Sequence, residues 1–186
     1  MNAAVVITVV GILASSSCAH RDRMVVCHAF PDGKSLTCLQ ANDGSVVVAK
    51  HSLDGLDFEG AATSTIVVGK DQLYFVNRQG RTAPALRFDN GADYFVEGLA
   101  RSVKAGKVGF VNLDLVEVIA PVWDFASPFQ DGLASVCNGC APKSDGKEHT
   151  IISGGKWGYI DKLGKVVVPV VYDEANLPPR TSVVHP

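Results

Sequence analysis

The chain has 186 residues and a formal net charge of −2, which suits one domain and excludes the clustered basic surface that nucleic-acid binding needs. At 47% apolar and 19% charged residues it can bury a core, and 18 Gly with 9 Pro point to turn-rich β structure rather than helix.

Residues 3–14 form an apolar run too short to span a bilayer but of secretory length. Ser15-Ser16-Ser17-Cys18 follows. Small residues before a cysteine resemble a bacterial lipoprotein signal, with 1–18 as the signal segment and Cys18 as the lipidated residue. Ser15 stands where an aliphatic residue is usual, and no Lys or Arg precedes the apolar run. A plain signal cut near Ala19 is the alternative, and a buried strand is the third reading. The lack of any charge before His20 favours export. The expected location is the periplasmic or outer side of a membrane through a lipid on Cys18, or the soluble periplasmic or secreted space.

Residues 19–56 are expected to form N-terminal capping hairpins. Strands over 24–30 and 35–40 flank the turn Pro31-Asp32-Gly33-Lys34. Counting back from Gly33-Lys34 sets Val26 against Leu39 or nearby, so Cys27 and Cys38 can meet across the hairpin. An oxidising compartment makes them a disulfide. Asn42-Asp43-Gly44 starts another turn, 36 residues ahead of its counterpart at Gly80, so this region reads as an eroded first repeat.

Further strands are expected over 65–69, 72–77, 93–100, 108–112, 133–137 and 157–161, with short helical turns near 89–93 and 173–175. The strongest signal is the hairpin over 155–169. Trp157, Tyr159 and Ile160 suit a pleated surface, and Asp161-Lys162-Leu163-Gly164 carries turn chemistry. Gly158 inside the strand should mark a bulge or a close approach, with Trp157 as the neighbour. Pro169 should end the return strand or lie on an edge.

Copies of this hairpin recur upstream. Phe75, Phe110 and Tyr159 are spaced 35 and 49 apart, and Phe88-Asp89, Trp123-Asp124 and Tyr172-Asp173 keep the same spacings. Phe95-Val96-Glu97-Gly98-Leu99-Ala100 and Phe129-Gln130-Asp131-Gly132-Leu133-Ala134 open two units. A worn version is Asp57-Phe58-Glu59-Gly60. Repeats are thus set at 57–92, 93–128 and 129–177. The last holds an inserted polar stretch at 138–150, expected as a surface loop. The segment 178–186 follows two prolines and is expected to fray.

These residues resemble the WG-repeat family. The last unit matches from Phe129 to Ala175. The middle unit matches at Phe95, Gly98-Leu99-Ala100, Gly109-Phe110 and Trp123-Asp124, but has Val108 for the Trp and Leu115 for the turn Gly. The resemblance implies an all-β chain of tandem antiparallel hairpin or three-strand repeats of about 35 residues, stacked in a twisted array, and no activity. Trp157, Gly158, Tyr159, Gly164, Gly98, Gly132, Phe110 and Phe75 are then structural repeat positions.

Chemistry-bearing residues are few. Cys137-Asn138-Gly139-Cys140 reads as a disulfide at the base of the insertion, or as a redox pair or half of a zinc site. The zinc set is incomplete and no βαβ setting surrounds the motif. His20, His28, His51, His149 and His185 are scattered, and no Gly-x-Ser-x-Gly elbow is present. The recurring Asp89, Asp124 and Asp173, with Glu97 and Asp131, suit turn closure or backbone bonding. Lys156, Lys162 and Lys165 suit a solvated rim. The expected function is therefore a non-enzymatic envelope binding or scaffold protein without cofactor or metal, whose partner is an envelope protein or glycan held near 138–150. The alternatives are a thiol-redox or metal-binding protein centred on Cys137 and Cys140, and an enzyme assembled from His51, His149 and a recurring Asp.

Overall fold

The computed structural model describes residues 22–58, 61–144, 146 and 150–183. Cys18, the segment 1–18, His20, Glu59-Gly60, His149 and His185 lie outside the described residues.

Among those residues, four three-stranded antiparallel meanders follow one another. The first is β1 (Arg23–Ala29), β2 (Ser35–Gln40) and β3 (Val46–Val48); the second is β4 (Thr63–Val68), β5 (Gln72–Asn77) and β6 (Thr82–Pro84). A small hairpin of β7 (Arg87–Phe88) and β8 (Gly91–Ala92) leads to the third meander, β9 (Leu99–Lys104), β10 (Lys107–Asn112) and β11 (Glu117–Trp123). Then come β12 (Phe125–Ala126) and the fourth meander, β13 (Leu133–Ser144), β14 (Thr150–Asp161) and β15 (Val166–Tyr172). The protein is thus all-β with antiparallel sheets, as the repeat pattern predicts.

A common turn joins the second and third strands of the last three meanders. Asn77 Oδ1 accepts from the N–H groups of Gln79 and Arg81, Asn112 Oδ1 from Asp114 and Val116, and Asp161 Oδ1 from Leu163 and Lys165. A short polar side chain that bonds its own backbone fixes the turn. The residue three further on is left-handed: Gly80 at φ 82°, Leu115 at 57° and Gly164 at 80°. Leu115 thus takes a conformation that costs a branched residue about 1–2 kcal/mol. Its side chain is 5% exposed and packs in one cluster with Ala83 and Ala85, so burial offsets the strain.

The meanders stack by burying their central strands on both faces. In β5, Tyr74 and Val76 enter a core with Cys27, Cys38, Ile66 and Phe58, while Leu73 and Phe75 enter the next with Ala100, Val111 and Leu115. In β10, Val108 and Phe110 face a further core with Phe129, Val136 and Ile160. β1 pairs with β4, and the Val47–Arg81 bridge brings β3 to β6, so the first two meanders close into one six-stranded sheet. Closure removes the free edges that invite aggregation.

Several expectations change. Val26 faces Thr37, not Leu39, because the closing pair of the first hairpin is Ala29–Lys34 rather than one centred on Gly33-Lys34. Cys27 and Cys38 nonetheless form a disulfide inside the first core. Residues 93–98 are loop, and 87–92 form a hairpin instead of a helical turn. A 3-10 turn does occupy Glu174–Asn176. At Gly158 the expected close approach is made by β15: a Cβ there would strike the carbonyl oxygens of Val168 and Pro169. Gly109 meets β11 in the same way, against Ile119 O and Pro121 N. Both glycines sit at register shifts, so the bulge needs a residue without a side chain. Pro121 and Pro169 fall within these bulged strands rather than ending them, where β11 and β15 run as outer strands of their sheets and need no donor.

The insertion is not an irregular loop. β13 and β14 pair from Leu133–Asp161 out to Ser144–Thr150, so it is a two-stranded ribbon. The tail does not fray over the described residues either: Arg180–Ser182 forms a 3-10 turn packed on the last meander.

Candidate functional site

The junctions of the second with the third meander and of the third with the fourth are each closed by an aromatic from the following one. Phe95 lies 5.0 Å from Phe75 and Phe129 lies 4.7 Å from Phe110, ring centre to ring centre. Tyr159 has no following meander, and the Arg180 guanidinium covers its ring at 5.7 Å. Turns precede the first strand of the last two meanders, with Glu97-Gly98 and Asp131-Gly132 all at positive φ. Glu97 also receives the Gly132 N–H at 3.1 Å, linking one turn to the next.

The recurring carboxylates are spent on the fold. Asp124 accepts from Lys107 at 2.6 Å and from the Gly139 N–H at 2.8 Å, and these bonds hold its carboxyl below the usual range, the lysine contributing most. Asp173 accepts from Lys156 at 2.8 Å. Asp89 is exposed at a left-handed position of the β7–β8 turn. Lys156 lies on a solvated rim, as expected, and there pairs with Asp173, while Lys162 stands 3.7 Å from Glu97.

Sequence reasoning missed the most buried polar group. Arg101 is 4% exposed; its Nε and one terminal nitrogen donate to both oxygens of Asp93 at 2.8 and 2.7 Å. Its other terminal nitrogen donates to Ala126 O at 3.1 Å, tying the third meander to the fourth. The signal was available: Leu99-Ala100-Arg101 places a charge in the strand that Leu133-Ala134-Ser135 repeats 34 residues on.

The ribbon is the largest feature outside the repeat frame. Cys137 and Cys140 form a disulfide at its base, buried with Trp157, Phe125, Ile152 and Leu177. Gly139, Gly154 and Gly155 are all left-handed there, and the Trp157 ring N–H donates to Gly154 O at 2.9 Å. β15 pairs with β14 only as far as Trp157, and β12 with β13 only as far as Cys137. Beyond that point both ribbon edges are unpaired among the described residues. Ala141, Pro142, Lys143 and Ser144 are exposed.

Of the histidines, only His28 and His51 lie among the described residues. His28 contacts Ser35, His51 lies on the 3-10 turn Lys50–Gly55, and His149 is outside the described residues. Among the described residues no group of three or more His, Cys, Asp or Glu is placed to hold a metal ion, and no helix is long and apolar enough to cross a membrane.

Fold and site together define an all-β protein of stacked antiparallel repeats with an outgrowth in the last one. The family profile described as the WG containing repeat matches residues 109–139 and 157–177, so the chain carries WG repeats there. No curated protein and no solved structure gives a significant match.

Proposed function

We propose that this chain is a non-enzymatic, exported binding protein that holds an envelope protein or glycan on the ribbon of its last repeat. The observation that carries this reading is the pair of unpaired strand edges beyond Cys137 and Trp157. Such edges accept an added strand through backbone hydrogen bonds, and side chains of alternate residues give the specificity. The buried disulfide and the three left-handed glycines hold the ribbon at a fixed exit from the repeat stack, so less ordering entropy is lost on binding. The recurring Asp residues support a scaffold role, because Asp124 and Asp173 bond lysines of their own repeats and Asp124 also accepts from the Gly139 N–H of the next.

A photo-crosslinking residue at Ser144 should capture an envelope protein or glycan, and the same residue at exposed Lys34 should not. Equal capture at both positions, or none, would sink the reading. Export is tested separately, by palmitate labelling of the full chain against a Cys18→Ala control.

A thiol-redox role is the second reading, because Cys137 and Cys140 are bonded only three residues apart. Free thiols in the mature chain equilibrated with reduced glutathione would favour it. A disulfide that stays closed, seen by mass spectrometry, would remove it.

A further inference from the structure

Away from the ribbon, three meanders meet around a cavity of about 380 Å³. The first contributes the turn Asp43-Gly44-Ser45, the second Gln72, Tyr74 and Thr82, and the third Ser102, Lys104 and Glu117. Its volume lies within the roughly 300–1,000 Å³ of small-molecule sites, which favour such junctions between structural units.

The lining has an uneven hydrogen-bond inventory. Thr82 Oγ1 donates to Val46 O, and Ser102 Oγ donates to Pro84 O at 2.7 Å. Each hydroxyl has one proton, so both present only lone pairs to the cavity. Asp43 accepts the Ser45 N–H at 2.9 Å and a bond from the Ser45 side chain, and its carboxylate, with about four lone-pair positions, can still accept a further donor. The bonds from Ser45 hold its carboxyl below the usual range, with a smaller contribution from the nearby Lys104 charge, so it is an anion at neutral pH. Glu117 adds a second carboxylate at the rim. Against these acceptors stand Lys104 and the Tyr74 hydroxyl. Tyr74 is 7% exposed, and its hydroxyl makes no hydrogen bond to any described residue. Burial pushes its pKa up, which keeps it a neutral donor.

We propose that this cavity binds a small hydroxylated primary amine, of amino-sugar chemistry: its hydroxyls meet Tyr74, Thr82 and Ser102, and its ammonium sits between Asp43 and Glu117. Two carboxylates against one lysine favour a cation. Acceptors that have no protons of their own to offer favour a ligand rich in donors. The site shares no residue with the ribbon, so the two readings stand or fall separately.

The test is two-dimensional amide NMR of the full chain titrated with D-glucosamine, with D-glucose and Nα-acetyl-lysine amide as arms. Saturable shifts at Ser45, Ser102 and Lys104 are expected for glucosamine, with weaker binding in both other arms. Tyr74→Phe should weaken glucosamine about fivefold to tenfold through one lost hydrogen bond. Glu117→Gln, at an exposed position where folding is not at stake, should weaken glucosamine and leave glucose unchanged. No shifts, or shifts confined to other residues, would overturn the site. Equal binding of glucose, or of the lysine derivative, would overturn the ligand class.

Discussion

At the junctions of the second, third and fourth meanders a phenylalanine covers a phenylalanine; over Tyr159 of the fourth an arginine does the covering. Phe95 and Phe129 seat on Phe75 and Phe110, whereas Tyr159 is covered by Arg180. The difference follows from what lies beyond. An internal junction is sealed by the next sheet, so an apolar ring gains fully from burial. Among the described residues no further sheet covers Tyr159, and the side chain over it is one that can cover a ring and still bond polar neighbours. Arg180 donates to Gln130 and, at 3.0 Å, to Ser127. The segment around Arg180 thus covers the fourth meander as Phe95 and Phe129 cover the second and third.

The largest effect should come from emptying an internal junction. Phe129 is 1% exposed, and Phe129→Ala should cost about 3–5 kcal/mol in urea denaturation. A loss under about 1 kcal/mol would mean that the ring is not what holds the third and fourth meanders together.

Next is the Asp93–Arg101 ion pair, whose guanidinium also donates to Ala126 O across the same junction. Asp93 and Arg101 have side chains 2% and 4% exposed, so removing one partner strands a buried charge. Asp93→Asn should cost about 3 kcal/mol, and adding Arg101→Met should recover much of that loss. A double variant no better than the single would show that the pair contributes stability rather than register. The corresponding positions in the last repeat are Ser127 and Ser135, bonded at 2.9 Å, where Arg180 reaches in from the tail. One arginine is supplied by its own strand, the other by the terminus.

Much of the architecture was readable from the residues, because a repeated turn leaves a repeated signature. Asn77, Asn112 and Asp161 head like turns, and the spacing of Phe75, Phe110 and Tyr159 marks the central strands. What was not readable has physical causes. The ribbon over 138–154 shows no apolar alternation, since neither face covers a core; backbone pairing and a disulfide specify it instead. The tail looked like an end because Pro178-Pro179 breaks strands, yet proline also precedes a 3-10 turn well, and one arginine beyond it finds Tyr159. Leu115 looked like a lost glycine, and only its alanine neighbours explain how a left-handed leucine is tolerated. The Asp93–Arg101 pair was hidden because a charge in a strand reads as exposed unless its partner is known.

At the end of the array the effects should shrink. Arg180→Ala removes a cation over a ring and two side-chain hydrogen bonds at a partly exposed site, and should cost about 1 kcal/mol. Deleting 178–186 should do little more. If either change cost as much as Phe129→Ala, the terminal junction would be as tightly sealed as the internal ones, and the contrast between them would fail.

The smallest effect is electrostatic and depends on pH. Asp124 spans the third meander and the ribbon base through Lys107 and the Gly139 N–H, and its carboxyl is held below the usual range. A carboxyl with a lowered folded pKa contributes stability that is present above its unfolded value, about 3.9, and is lost as pH falls through the folded value. Asp124→Asn should therefore lower the Tm at neutral pH, and the gap to the parent should close as the pH falls below the usual carboxylate range. Because Gly139 belongs to the ribbon and Lys107 to β10, the same variant should loosen the ribbon selectively, read as faster amide exchange at Gly139 than at Val111. A uniform change in exchange across both would mean that Asp124 stabilises the stack as a whole and does not set the angle at which the ribbon leaves it.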